Sequence, residues 1–195
     1  MTTLRVMSTA ARAAVPKPRD RDRRAKILAA ATRLFREKGF HAVGIDEIGA
    51  AAGITGPGVY RHFAGKEGLL VAVLREATDE LWQPPDGDLA LEEYVQRHVA
   101  FAVTHGETIQ LWHQEGRNLP ADSRGDQRTM MASYIQRLAT LLQERRPDLD
   151  DLEARIRVRA TLGLIHSTSH EEMEGAPDVR APILERMAMA ALLAQ

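Results

Sequence analysis

Two short segments between Asp46 and Lys66 constrain this chain more than anything else in it. The first, Asp46-Glu47-Ile48-Gly49-Ala50-Ala51-Ala52, is acidic at its start and then rich in small residues. The second opens with Thr55 placed as an N-cap and Pro57 in the first turn, where a missing N–H costs little. Each is too short to bury a core by itself. Gly53 stands between them at a sharp reversal, where glycine takes positive φ without strain. Small side chains on the first segment let the second approach closely. Tyr60, Arg61 and His62 then follow in a row with polar tips, suited to phosphates and base edges in a groove. Helix, glycine turn and short helix form a helix-turn-helix. An upstream helix covers both, because Ile27, Leu28, Ala31, Leu34 and Phe35 recur at helical spacing. Lys38-Gly39 gives that helix a basic last turn and a stop.

The ungapped run from Arg24 to Leu74 resembles the DNA-binding domain of the TetR family of bacterial transcription regulators. The pieces that carry the resemblance are Leu34-Phe35, Lys38-Gly39-Phe40, Ile48 to Gly53, Tyr60-Arg61-His62-Phe63 and Lys66-Glu67. Beyond this run the likeness is only in helical character and length. The chain departs from the family pattern at Val43 and Gly44, where Ser or Thr usually caps the second helix and touches phosphate. Gly58 likewise replaces a Thr, Ser or Ala, which weakens the recognition helix by up to about 1 kcal/mol relative to Ala. Pro57 offsets part of this by fixing φ. The expectation is a recognition helix that is loose without DNA and ordered on it.

The resemblance implies an all-α fold of about nine helices. Residues 1–20 are expected to be a disordered basic arm, 21–67 the helix-turn-helix domain, and 68–195 a larger helical ligand-binding and dimerisation domain. The formal net charge of −1 hides a division of labour. Residues 1–75 carry fourteen Lys and Arg against six Asp and Glu, and the remainder is correspondingly acidic. A basic first part on an acidic second part is the electrostatic footprint of a DNA-binding domain joined to something else. Arg5, Arg12, Lys17, Arg19, Arg21, Arg23, Arg24 and Lys26 precede or open the first helix, placed either for phosphate or minor-groove contact or as a solvated tail.

The downstream chain reads as helices throughout. They are expected from Lys66 to about Trp82, Leu89 to His105, Glu107 to about Asn118, Asp122 to Arg146, Asp150 or Asp151 to about Met173, and Pro182 to the end. Pro84-Pro85-Asp86-Gly87 and Pro147 are breaks. In the family the last two helices pair with their copies, so the resemblance implies a homodimer, as two-fold DNA sites demand. Leu162, Leu164, Ile165, Met173, Met187, Met189 and Leu193 are candidates for that face, with intramolecular core as the competing reading. The family also implies a small-molecule pocket in the middle helices. Trp112, His113 and Tyr134 are the first candidates to line it, with Phe101, Met131 and His166 next. Ordinary helical core is the alternative for each.

No catalytic chemistry stands out. Cysteine is absent, which removes disulfides, thiolate nucleophiles and cysteine metal sites. His166 and His170 share a helical face, but no third ligand has matching spacing and no metal is expected. There is no phosphate loop, nucleophile elbow or dinucleotide fingerprint, so neither a cofactor nor an enzyme is expected. No signal peptide or membrane-length apolar run is present, and the expected location is cytoplasmic. The implied function is a one-component regulator, a repressor released from a (pseudo)palindromic operator by a small apolar or acyl ligand. A non-inducible DNA-binding dimer is the alternative. In this reading Thr55, Gly56, Pro57 and Gly58 approach the duplex at the helix N-terminus. Tyr60 and His62 touch backbone, Arg61 reaches a base or a phosphate, and Lys66 holds a phosphate.

Overall fold

The computed structural model describes residues 18–82, 89–169 and 176–195. The described residues hold nine α-helices and no strand. The helices are α1 Pro18–Lys38, α2 Ile45–Ala51, α3 Gly56–Tyr60, α4 Gly65–Trp82, α5 Leu91–Thr104, α6 Gly106–Glu115, α7 Ala121–Arg145, α8 Asp151–Ser167 and α9 Pro177–Leu193. None is long and apolar enough to cross a membrane. Helix α1 begins inside the expected disordered arm, with Pro18 at a first position where its lost N–H has no intrahelical use. Arg5, Arg12 and Lys17 lie outside the described residues, as do Pro84 to Gly87, His170 and Met173.

Two apolar cores meet at α6, which gives Leu111 to one and Ile109 to the other. The N-terminal core gathers Ile27, Leu34 and Phe35 of α1, Ile48 of α2, Val59 of α3 and Leu69, Leu70 and Leu74 of α4. It therefore continues past residue 67, where a domain boundary was expected. Leu111 of α6 and Leu119 complete it. The second core is built from α5, α7, α8 and α9, where α7 packs on α8, α5 on α9 and α8 on α9. Asp150 is the N-cap of α8, accepting the Glu153 N–H at 2.7 Å.

Helix α9 starts five residues before the expected Pro182, because Pro177 takes the first-turn position instead. Pro182 then sits inside the helix. Its missing N–H leaves the Asp178 carbonyl without that helical partner, at a position where both residues are exposed to solvent.

Candidate nucleic-acid interface and interior cavity

Helices α2 and α3 pack closely where Gly49 meets the start of α3. Gly53 has φ +72° and ends α2 in a Schellman motif: the Ile54 N–H donates to Gly49 O at 2.9 Å and the Gly53 N–H to Ala50 O at 3.1 Å. A Cβ on Gly49 would lie 3.0 Å from the Gly56 nitrogen, Ile54 oxygen and Thr55 carbon. Only glycine permits that approach.

The crossing decides which residues of α3 reach solvent. Thr55, Pro57, Tyr60 and Arg61 are exposed, Tyr60 by 60%, and His62 is half-buried. The Thr55 hydroxyl makes no capping bond, although the residue occupies the N-cap. Gly56 and Gly58 depart from expectation, because both are buried against neighbouring side chains and offer no surface to a base. A Cβ on Gly56 would meet the Asp46 carboxylate at 1.9 Å. A Cβ on Gly58 would sit 3.4 to 3.5 Å from Ile54 and Thr55, ordinary contact. Gly58→Ala is therefore expected to stabilise the protein by up to about 1 kcal/mol, raising Tm by about 2–4 °C in a thermal melt. A lowered Tm would mean that the added methyl does not fit.

Lys66 also departs from expectation. Its ammonium donates to Phe40 O at 2.9 Å, Val43 O at 3.1 Å and His41 O at 3.4 Å. It stands over the Phe40 ring at 4.5 Å. An ammonium has three donors, and three carbonyls of the turn between α1 and α2 take them all. No donor remains for a phosphate. Lys38 of α1 holds Glu47 of α2 at 2.5 Å, which keeps the Glu47 carboxyl below its ordinary range.

The same turn is tied to the second core. Glu115, 8% exposed at the end of α6, accepts the Phe40 N–H at 3.0 Å and the Asn118 amide at 2.6 Å. Asn118 Oδ1 is 3.1 Å from His41 Nε2. Arg36 of α1 pairs with Glu107 at the start of α6. Helix α6 is thus fixed to the N-terminal helical unit by an ion pair at one end and a buried carboxylate at the other. Sequence reasoning missed Glu115, because nothing local marks a glutamate whose partner is a backbone N–H 75 residues away.

On its other face α6 borders an interior cavity. Phe101, Trp112, His113, Met131 and His166 are brought together around it, with Leu81, Trp82 and Ile109. Its volume is about 40 Å³, room for little more than a water molecule. Tyr134 does not line it. That ring is buried behind His98, its hydroxyl 3.2 Å from His98 Nδ1. Burial disfavours the phenolate and raises the Tyr134 pKa. His98 Nε2 lies 2.8 Å from His166 Nε2. Burial, then the neighbouring His166, lowers the His98 pKa to about 3. Outside this cavity, across Trp112, His113 and Met131, opens a cleft of about 480 Å³.

The exposed large apolar side chains fall in two places. Tyr60 is one; Leu152 and Ile156 of α8 and Val179, Ile183 and Met187 of α9 are the others. The residues expected at a dimer face are placed differently from one another. Leu162 and Ile165 belong to the chain's own core, and Leu164, Met189 and Leu193 pack against it. Of the candidates within the described residues, only Met187 is exposed.

Residues 27–73 match the family model for bacterial regulatory proteins of the tetR family. The chain is 45% identical over 64 residues to the HTH-type transcriptional activator FasR of Mycolicibacterium smegmatis, covering 33% of this chain and 29% of that protein. It is 38% identical over 60 residues to the HTH-type transcriptional repressor KstR2 of Rhodococcus jostii, covering 31% and 29%. The chain thus spans less than a third of the length of these curated relatives. Solved structures extend the likeness of fold. A TetR-family regulator from Bordetella parapertussis superposes with a TM-score of 0.72 at 20% identity, over 85% of this chain and 93% of that one. The ketosteroid regulator KstR2 of Mycobacterium tuberculosis gives 0.72 at 20%, over 87% and 93%. Residues 27–73 thus carry the helix-turn-helix domain of bacterial regulatory proteins of the tetR family, and the helical architecture as a whole has the fold of TetR-family structures.

Proposed function

We propose that this protein is a ligand-responsive transcription regulator, a repressor that binds a (pseudo)palindromic operator as a homodimer. The observation that carries the reading is the solvent-facing side of α3, where Thr55, Pro57, Tyr60 and Arg61 project from a helix packed closely on α2. Thr55 and the N–H groups opening α3 meet phosphate. Tyr60 and His62 meet the backbone, and Arg61 reaches a base edge or a phosphate. Pro57 offers an apolar contact to a thymine methyl. With the two glycines turned inward, few hydrogen bonds to bases are available, so sequence preference leans on DNA shape.

The exposed stripe on α8 and α9 supports dimerisation through those helices, since five large apolar side chains in solvent mark an interaction surface. A dimer sets the separation of two α3 helices against the half-site spacing. An effector entering beside Trp112 presses on α6 and on the end of α4. Helix α6 ends in Glu115, which holds the turn before α2, and the first turn of α4 carries Lys66, which holds the same turn. The effector releases DNA in proportion to its differential affinity for the two arrangements. One observation favours the second reading, a non-inducible DNA-binding dimer: the interior cavity of about 40 Å³ admits no ligand as it stands.

Selection of bound genomic fragments, followed by footprinting, tests the proposal. Protection is expected over two symmetric half-sites, with affinity falling steeply as salt rises. Arg61→Ala is expected to weaken binding by about 1–3 kcal/mol. Ile183→Asp is expected to yield monomers of much lower affinity, because it places an unpaired charge in the dimer face. Undiminished operator affinity in Arg61→Ala would remove α3 from the interface.

A further inference from the structure

The cleft outside the cavity has a chemistry of its own. Four arginines line it: Arg117 beyond α6, Arg124 and Arg128 of α7, and Arg159 of α8. None of the four forms an ion pair among the described residues. Arg124 and Arg128 stand one helical turn apart, a spacing at which like charges repel. Arg124 also donates to the Arg117 carbonyl at 2.8 Å, which draws a third guanidinium-bearing residue toward them. Gln127 lines the same cleft, is 2% exposed, and has no partner for either its amide oxygen or its amide nitrogen. The cleft thus gathers positive charge and an unsatisfied amide with no described counter-group.

Across the shared wall the chemistry reverses. Trp112 and Met131 face the arginines on one side, and Leu81, Phe101 and Ile109 on the other. The cleft, at about 480 Å³, is of ligand size, whereas the cavity of about 40 Å³ is not. The wall includes Met131, whose unbranched side chain re-packs easily. Guanidinium forks match the oxygens of carboxylate and phosphate.

We propose that the effector is an amphipathic anion. Its carboxylate or phosphate head sits among Arg117, Arg124, Arg128 and Arg159, and its apolar chain enters past Trp112 and Met131 into the space against α6. This rests on the reading of the protein as effector-responsive, and it says what the effector must be made of. The head brings the charge the four arginines lack, and the chain opens the cavity.

The full-length protein is titrated calorimetrically with decyl phosphate, decanoate, decanol and inorganic phosphate at one fixed salt concentration. Release of the selected operator fragment is followed in parallel by fluorescence anisotropy. At least one of the two decyl anions is expected to bind about tenfold or more tightly than decanol and inorganic phosphate, and which one it is distinguishes phosphate from carboxylate. The double variant Arg124→Gln, Arg128→Gln is expected to lose about tenfold or more for that anion while its affinity for decanol is unchanged. The single variant Arg128→Gln changes only an exposed side chain with no described partner, and it is expected to lose affinity in the same direction without loss of folding. Decanol binding as tightly as both anions, inorganic phosphate binding as tightly as decyl phosphate, unchanged affinity in the variants, or no binding of any probe overturns the proposal. Anion binding that leaves the operator bound supports this site and overturns effector response. Release by decanol that is identical in the arginine variants keeps effector response and overturns this site.

Discussion

Replacing Lys66 with methionine lowers the stability of the DNA-free protein by about 2–4 kcal/mol, read from the midpoint of denaturant unfolding at constant slope. Methionine keeps the apolar stem and removes only the ammonium. Three carbonyls, of Phe40, His41 and Val43, then lose a charged donor together. A hydrogen bond to a charged group contributes about 1.5–3 kcal/mol, and the Phe40 ring contributes a further cation–π attraction. Water can reach part of this half-buried site, which holds the total below the sum of the bonds. Lys66→Arg is expected to recover part of the loss, because a planar fork cannot aim at three converging carbonyls as an ammonium does. A lysine whose work was to grip phosphate would be dispensable without DNA, and its removal would leave stability within about 0.5 kcal/mol. That outcome would return Lys66 to the DNA interface. A destabilised variant that also binds DNA weakly is the expected pattern, since the turn Lys66 holds leads directly into α2.

The part of this fold legible in the sequence is the part set by short-range rules. Gly53 announced the turn because a positive φ is forced by the reversal itself. The spacing of Ile27, Leu28, Ala31, Leu34 and Phe35 announced α1 because an amphipathic helix records its buried face every three or four residues. The contacts of Lys66 were not legible, since no local rule shows that three carbonyls converge on it from 23 to 26 residues upstream. Gly56 and Gly58 were assigned to DNA from their place in the helix. Which side of a five-residue helix faces out depends on the crossing with α2, and that is a tertiary fact. Five of the six candidate cavity residues do surround one space. Tyr134 stands apart from that space, behind His98, and borders a separate cleft with Trp82 and Tyr94. The arginine cleft left only a faint trace, the like-charged pair Arg124 and Arg128 one turn apart. Arg117 and Arg159 join them through packing. The dimer candidates followed hydrophobicity, but an apolar residue on a helix of this bundle is as often facing its own core, as Leu162 and Ile165 do.

Helix α6 connects these observations. Its residues divide between the two cores, with Leu111 in the N-terminal one and Ile109 in the other. Trp112 and His113 stand at the cavity, while Glu115 ends the helix on the Phe40 N–H. A displacement that opens the cavity must therefore break or carry along a buried carboxylate contact. A buried acceptor that loses its donor is costly, so the turn before α2 moves with the helix rather than parting from it. The proposed coupling needs no chain of weak contacts, because one helix touches both places.

Lowering the pH from 7 to 5 is expected to cost the protein about 2 kcal/mol of stability through His98 alone. The ring is 2% exposed, with Tyr134 on one nitrogen and His166 on the other, and its pKa falls to about 3, chiefly through burial and then through the nearby His166. The ordinary value is 6.5. Between these values the unfolded chain takes up a proton that the folded protein refuses. The unfolded state therefore binds more protons in that window, and stability rises with pH. The contribution is fully present above pH 6.5 and is lost progressively as pH falls toward 3. Each unit of pH below 6.5 removes about 1.4 kcal/mol, and the step from 7 to 5 crosses about one and a half such units. Most surface carboxylates remain ionised above pH 5, so the interval isolates histidine. His98→Gln keeps a neutral polar side chain of similar reach and cannot take up the proton. The variant is less stable at pH 7, because its amide fits the Tyr134 and His166 contacts less well, but its stability should change by about 2 kcal/mol less than wild type between pH 7 and 5. Equal losses in the two proteins would mean that His98 accepts a proton in the folded state. The ring would then stand open to solvent, and the packing of α5 on α7 and α8 around it would be looser than described.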